Sequence, residues 1–449
     1  MRARRPPAAR RAAVARPRGP TDSESPSDGG RTSGAATVEQ QLRTMADGQG
    51  ATLAPLKLAL IGCGRISQQH FNGIRVVCSD LVTVTAVVDT SLARATEMQA
   101  KISAEGGSAA VYTDVATALA EGDFEAVDIM LPHHLHLPVT CQCFDAGKHV
   151  LLEKPMAHNL EDAEKILAAA AAAQGNGLVF MMAENSQYWP EVVAAKEVIA
   201  TGAIGRLLSA RAVFNGTFNE GDDSTVTHAD VTSSYAVMDG DNSVAADRPW
   251  RFDKEATGGG IVIDGGAHWI RPLRMLMGEV EAVTGVTGTP FTKMEGESLG
   301  RALLRFKNGT VGYLECSFGP QVYGPDQSWR VMGTAGELII DGKGVCLYNK
   351  DHPQGKDVFE KPEEYSRFEA LGVDVSFEGL AMPLAGYHVS FGHEIGDFAA
   401  VVKQGKTPAV PTDASLAERS QAEHSLGEMR TALALYRAAQ SGQWEKVWD

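Results

Sequence analysis

The sequence lacks any run of about 18 uninterrupted strongly apolar residues, which excludes an apolar membrane-spanning helix. The nearest candidate is the alanine run Leu167–Ala173. It gives way to Gln174-Gly175-Asn176-Gly177 and reads as a helix with its end. Cysteine is scarce, and six in 449 residues make no disulfide framework. Cys141 and Cys143 lie two apart on a predicted helix, where they point in different directions. No second pair follows at zinc-site spacing. A reduced intracellular compartment and no metal site are expected. Positive charge is also in deficit, with 41 Lys+Arg against 56 Asp+Glu and a formal net charge of −15. Such a surface repels phosphate backbones, so binding of nucleic acid by a general basic face is excluded.

Acid is missing from residues 1–20, which carry seven arginines and no apolar h-region. A secretory signal is therefore excluded. Residues 1–54 are rich in Arg, Ala, Pro, Ser and Gly and cannot bury a core. An organelle transit peptide (mitochondrion or plastid), a disordered tail, and an upstream start before Met45 are all open readings. Asp22, Glu24 and Asp28 interrupt the acid-poor pattern. The expected compartment is the cytoplasm, with an organelle as the alternative.

What remains is long enough for two or three domains. Leu56–Ile61 is a short apolar run that suits a buried parallel strand. It leads into Gly62-Cys63-Gly64-Arg65-Ile66-Ser67, a G-x-G-x-x-S turn with Ser at the third glycine position. Gly62 permits the tight turn, Gly64 leaves room for a pyrophosphate, and the following helix points its amides at that anion. A second strand, Val82 to Val88, ends in Asp89, which can accept hydrogen bonds from both ribose hydroxyls. A carboxylate there favours NAD, and Arg94 nearby keeps NADP as the alternative. A structural turn with a surface aspartate is the plainer reading.

Strands are predicted at Ala109–Tyr112, Ala126–Leu131, His149–Leu152 and Leu178–Ala183. Helices alternate with them at Asp114–Glu121, His136–Ala146 and from Asn159 to Ala173, with Asp114 and Asn159 as caps. This alternation predicts an α/β doubly wound parallel sheet with ligand at the strand C-termini. One of those termini carries Pro132-His133-His134-Leu135-His136, where cap or cofactor contacts explain the histidines better than a metal. The next carries Glu153-Lys154-Pro155. An ammonium there could stabilise an alkoxide or relay a proton; a surface lysine paired with Glu153 is the bland alternative.

The second half changes character. Arg206–Phe218, Arg301–Phe306, Val311–Phe318, Trp329–Met332 and Glu337–Ile340 read as strands, with Asn308-Gly309 as a hairpin signal. Few helices and an open, mainly antiparallel mixed sheet are expected, with one face free for a substrate or a subunit. The glycine-rich stretch from Gly258 to His268 places Asp264 and His268 four apart. If Asp264 opens a helix, both share a face, and the carboxylate could orient the imidazole as a base. An N-cap with a helix-face histidine fits equally well. The long connection 219–257 supplies Tyr235, Trp250 and Arg251 as pocket-lining candidates, with a plain structural role as the equal alternative.

In this order these stations resemble the glucose–fructose oxidoreductase / inositol dehydrogenase (Gfo/Idh/MocA) family. The loop Gly62 to Ile66 matches its nucleotide loop. Pro132 and His136 match its T-P-N-x-x-H stretch, with Leu131 and His133 replacing the Thr and Asn. Glu153-Lys154-Pro155 matches its most specific signature. Gly202-Ala203-Ile204-Gly205, the Asp264/Gly266/His268 set and Glu394–Phe398 match further motifs, and Arg271 stands where many members have Asp. The resemblance covers about residues 55–440. It implies a tail (1–54), a Rossmann domain (55–176) and a substrate and oligomerisation domain (177–449). It implies NAD, or NADP, held by Gly62, Gly64, Arg65, Ile66, Asp89, Pro132, His133, His136, Glu153 and Lys154. By the same resemblance Lys154 is the catalytic lysine, His268 the acid/base and Asp264 its neighbour. The substrate would be a secondary hydroxyl of a sugar, inositol or related cyclic diol, and the assembly a homodimer or homotetramer through the C-terminal sheet. An NAD-dependent glycosidase with transient redox chemistry and a non-catalytic NAD(P) sensor are the rivals on the same frame.

Overall fold

The computed structural model describes residues 53–217, 250–290, 294–319, 328–341, 344–370, 384–406 and 424–448, all within one compact unit. Residues 1–52, and 218–249 with Tyr235, lie outside the described residues.

The first half alternates β1 (Leu56–Ile61), α1 (Arg65–Val77), β2 (Val82–Val88), α2 (Leu92–Ala104), β3 (Ala110–Tyr112) and α3 (Val115–Glu121). It continues with β4 (Ala126–Ile129), α4 (His136–Asp145), β5 (His149–Glu153), α5 (Leu160–Gly175) and β6 (Phe180–Ala183). All six strands are parallel, in the order β3-β2-β1-β4-β5-β6. Leu58, Ala59 and Leu60 are each fully buried, because helices cover both faces of the sheet. The capping residues act as the sequence predicts: Asp114 accepts from the Thr117 amide and Asn159 from the Asp162 amide, both at 2.8 Å. The chain order reverses direction between β1 and β4, and that switch point opens a crevice at the strand C-termini. Because β6 pairs with β5, the first sheet extends past the expected limit at residue 176.

The second half builds a nine-stranded sheet. Its strands are β7 (Leu207–Thr217), β8 (Val280–Gly288), β9 (Leu299–Phe306), β10 (Val311–Gly319), β11 (Ser328–Gly333), β12 (Gly336–Asp341), β13 (Gly344–Asn349), β14 (Lys356–Asp357) and β15 (Glu445–Lys446). The order is β14-β13-β12-β11-β7-β10-β9-β8-β15, and β7–β10 is the one parallel pair among the described strands of this sheet. Along β9 burial alternates strictly, so one face packs on the core and the other faces outward. Helices α6 (Pro190–Ala200), α7 (Lys254–Thr257), α8 (Ala267–Met277), α9 (Glu363–Ala370), α10 (Leu384–Gln404) and α11 (Leu426–Ser441) complete the half.

The expectation of few helices there is wrong for α10 and α11, which run 21 and 16 residues. The residues of α10 are buried on several sides, so no one-sided apolar stripe marks it in the sequence. It returns to the first half and packs along α1. A Cβ on Gly73 would lie 2.5 Å from the Gly392 amide nitrogen, so two glycines let these backbones meet. No described helix is long and apolar enough to cross a membrane.

The core of the second half centres on Trp189, Trp269, Trp329 and Phe214. Trp269 stacks on Trp329 at 5.4 Å and on Phe214 at 4.3 Å. This cluster fixes the first turn of α8. Trp269→Ala is expected to cost about 3–5 kcal/mol of unfolding free energy, read by urea denaturation.

Candidate active site

The nucleotide crevice is built by one turn. Gly62 has φ +97°, a conformation that disfavours any side chain, and a Cβ there would meet the Met130 carbonyl oxygen at 2.3 Å. Gly64 is the N-cap of α1, and a Cβ on it would meet nothing within 4 Å. That end of α1 has no side-chain cap and no acid in its first turn. Unsatisfied amides facing open space are what an anionic pyrophosphate requires. Ile66 packs partly buried against both neighbouring cores. The Arg65 side chain is mostly enclosed; burial and then Arg251 lower its pKa, against Tyr387. Asp89, at the end of β2, accepts from the Cys63 and Ser91 amides, each at 2.8 Å, and pairs with Arg94 at 3.2 Å. The carboxylate therefore ties the glycine loop to β2. These groups fit a dinucleotide.

After β4 the chain makes a short 3₁₀ turn. His133 is buried with Nδ1 3.0 Å from the Thr257 carbonyl oxygen, its ring edge-on to Trp250 at 4.9 Å. His136 is buried between the Pro155 carbonyl (3.0 Å) and the Leu131 carbonyl (2.8 Å). Pro132 caps this turn. The two histidines thereby brace the loops around the ends of β4 and β5, and burial lowers the pKa of both.

Lys154 follows β5 and does not pair with Glu153. Its side chain is 12% exposed, and Nζ donates to Asp264 Oδ1 at 2.9 Å and to the Asp264 carbonyl at 3.3 Å. Arg251 binds the other Asp264 oxygen. Burial alone would raise the Asp264 carboxyl, but Arg251 and Lys154 outweigh it and hold the group far below the usual carboxylate range. Asp264 thus cannot orient His268. It also does not open a helix, since α8 starts at Ala267 with Gly266 as N-cap. Two cations occupy both of its oxygens.

The partner of His268 is Glu184, just past β6. His268 Nδ1 lies 2.7 Å from Glu184 Oε1, and Trp189 stacks on the ring at 6.3 Å. Burial pushes the Glu184 carboxyl up, yet His268, then Lys154 and Arg271, bring it down to about 2. A carboxylate is acceptor-only, so Nδ1 carries the proton of a neutral ring and Nε2 is its basic nitrogen. Lys154 and Glu184 also line one cavity of about 10 Å³ with Met156, Met182 and Glu428.

The Glu184 shift has a consequence for stability. Its folded pKa is depressed from 4.5 to about 2. The contribution is therefore present above about pH 4.5 and lost as pH falls toward 2, by on the order of 3 kcal/mol. Unfolding free energies measured across that range should fall more steeply for the natural protein than for Glu184→Gln.

Arg271 is buried against Glu428 at 3.1 Å and Ser425 at 2.9 Å, and Arg274 pairs with Glu279 and the same Glu428. This ion cluster anchors α11 to α8. Sequence reasoning missed Glu184 and this cluster, because neither shares a local spacing with its partners. Trp250 and Arg251 do come to the site, through His133 and Asp264.

Comparison with known proteins gives the family and the fold. The family profile "Oxidoreductase family, NAD-binding Rossmann fold" matches residues 56–181, and "GFO/IDH/MocA C-terminal domain" matches 192–339. Levoglucosan dehydrogenase of Pseudarthrobacter phenanthrenivorans is 29% identical over 252 residues, 51% of this chain and 58% of that protein. This chain therefore spans just over half the length of that relative. Myo-inositol 2-dehydrogenase of Thermotoga maritima is 24% identical over 79% of this chain and 90% of its own. Among solved structures, levoglucosan dehydrogenase in complex with NADH and levoglucosan shares the fold at TM-score 0.66 and 22% identity, covering 88% of this chain and 100% of that one. An oxidoreductase from Agrobacterium radiobacter in complex with NAD+, L-tartaric acid and magnesium does so at 0.66 and 19%, covering 88% and 99%. By its motifs, its two-sheet architecture and both profiles, the chain belongs to the Gfo/Idh/MocA family of NAD-binding oxidoreductases.

Proposed function

We propose that the protein transfers a hydride between a nicotinamide cofactor and a secondary hydroxyl of a sugar, inositol or related cyclic diol. The observation that carries this reading is the convergence of Lys154, Asp264, Glu184 and His268 from both halves of the chain on one buried cluster. When bound, the dinucleotide supplies the hydride acceptor. Glu184 holds the His268 Nδ1 proton, which leaves Nε2 to take the proton of the carbinol O–H. The Lys154 ammonium has three donors. Asp264 takes one through its carboxylate and a longer second through its carbonyl, and the third serves the oxygen as charge develops on it. Asp89 supports NAD, while Arg94 beside it leaves NADP to be tested.

The test is a panel of inositols, aldoses and dihydrodiols assayed with NAD and with NADP by absorbance of the reduced cofactor. Substrate-dependent reduction supports the reading. Turnover without net reduced cofactor would favour the glycosidase, and no turnover with retained NAD binding the sensor.

Val286, Leu303, Val311 and Met332 lie on the outward face of the nine-stranded sheet and are exposed by 58%, 52%, 54% and 40%. An exposed apolar face of this kind supports a homodimer or homotetramer that covers it, which light scattering of the purified protein would measure.

A further inference from the structure

Beneath Lys154 lies a second group of titratable side chains that the proposed chemistry leaves unused. His70, on α1, is fully buried. Its Nδ1 is 2.7 Å from Asp128 Oδ2 on β4, and its Nε2 is 2.9 Å from Glu153 Oε1 on β5. Both carboxylates are themselves buried. The other oxygen of Glu153 accepts the Lys154 backbone N–H at 2.9 Å. A neutral imidazole has one N–H and could satisfy only one of its two partners as a donor. Two buried carboxylates on opposite nitrogens call for a proton on each.

We propose that His70 is a permanent imidazolium that positions Lys154, through Glu153, by fixing the turn from which the lysine side chain reaches Asp264. The inference rests on the reading of Lys154 as the catalytic lysine. His70, Asp128 and Glu153 are positioning residues, because none of them bonds the reacting groups. The placement has a geometric logic. His70 sits in the second turn of the helix that begins at the nucleotide loop, and Glu153 ends the strand that Lys154 follows. One ring therefore ties the cofactor turn to the lysine turn across the sheet's switch point.

The surroundings keep this charge in place. Burial opposes it, but Asp128 and Glu153 outweigh burial and hold the ring protonated well above its ordinary range. From α10, Phe391 covers the ring at 4.9 Å and Glu394 is the further titratable group nearby. Burial, with Glu153, Glu184 and Asp128 adding to it against His70, pushes the Glu394 carboxyl well above its ordinary range. Neither Glu394 carboxyl oxygen has a hydrogen-bond partner among the described residues. An imidazolium between two carboxylates already carries one net negative charge, so a third carboxylate is refused.

The test has one arm that does not depend on activity. In the full-length protein labelled with ¹⁵N-histidine, the His70 ring is assigned by its loss in His70→Gln. Both ring nitrogens should give the protonated shift from pH 6 to pH 9. A ring that reads as neutral at pH 8 overturns the proposal. The second arm is Glu153→Gln, whose amide keeps its size but cannot accept from both the imidazolium and the Lys154 amide. With substrate, kcat should fall at least tenfold in a variant whose urea denaturation shows it to be folded. An unchanged kcat in that folded variant overturns the proposal as well. If Lys154→Ala turns over normally, the assigned role of the lysine falls, and with it what His70 would position, while the ring spectrum still reports its charge.

Discussion

Lys154→Ala should lower kcat by about a hundred- to ten-thousandfold on the best substrate, the range expected when a positioned proton-transfer group is lost. The Kd for NAD should change little, because the glycine turn, the α1 N-terminus and Asp89 are held together without Lys154. The side chain is 12% exposed and anchored on a carboxylate, so its removal leaves Asp264 with Arg251 as its remaining bonded cation. That remaining pair limits structural damage, which makes the kinetic loss readable. Rapid-kinetic measurement of kcat with fluorescence titration of NAD separates the two effects. Near-normal turnover would remove the lysine from the mechanism.

His268→Ala should cost a similar hundred- to ten-thousandfold in kcat, with a different signature. An added small base such as imidazole should restore part of the rate, because it can take the carbinol proton in place of the missing ring. Glu184→Gln should fall between this variant and the natural protein, because the amide oxygen can still accept from Nδ1 but the charge-assisted hydrogen bond is lost. If Glu184→Gln matched the natural enzyme while Asp264→Asn abolished the pH dependence, the pairing of His268 with Glu184 would be irrelevant to turnover. A kcat–pH profile of the three variants decides this.

Much of this was legible in the chain. The strands of the first sheet are continuous apolar runs, the caps are Asp and Asn at the positions where they act, and the turns end on glycines with positive φ. These signals are local, so spacing alone reveals them. The residues at the strand ends were legible for the same reason: in a parallel sheet wound on both sides, whatever follows a strand's C-terminus faces the crevice. Gly62, Gly64, Asp89 and Lys154 are such residues. His268 was visible too, since glycines around it announce close packing.

The partners were not legible. Spacing paired Asp264 with His268, but a spacing of four only permits a meeting on a helix, and the helix begins after Asp264. Packing instead carries Asp264 to a lysine 110 residues away and His268 to a glutamate 84 residues away. The same holds for Arg271, which the sequence shows only as standing where many family members have Asp and which folding makes an anchor for α11.

The sequence by itself thus determined the parallel sheet and its nucleotide turn, and it offered the lysine and the histidine as candidates. Only the tertiary structure decided which carboxylate serves which cation. A hydrogen bond reaches about 3 Å, and residues far apart along the chain come within that reach only after both sheets have packed.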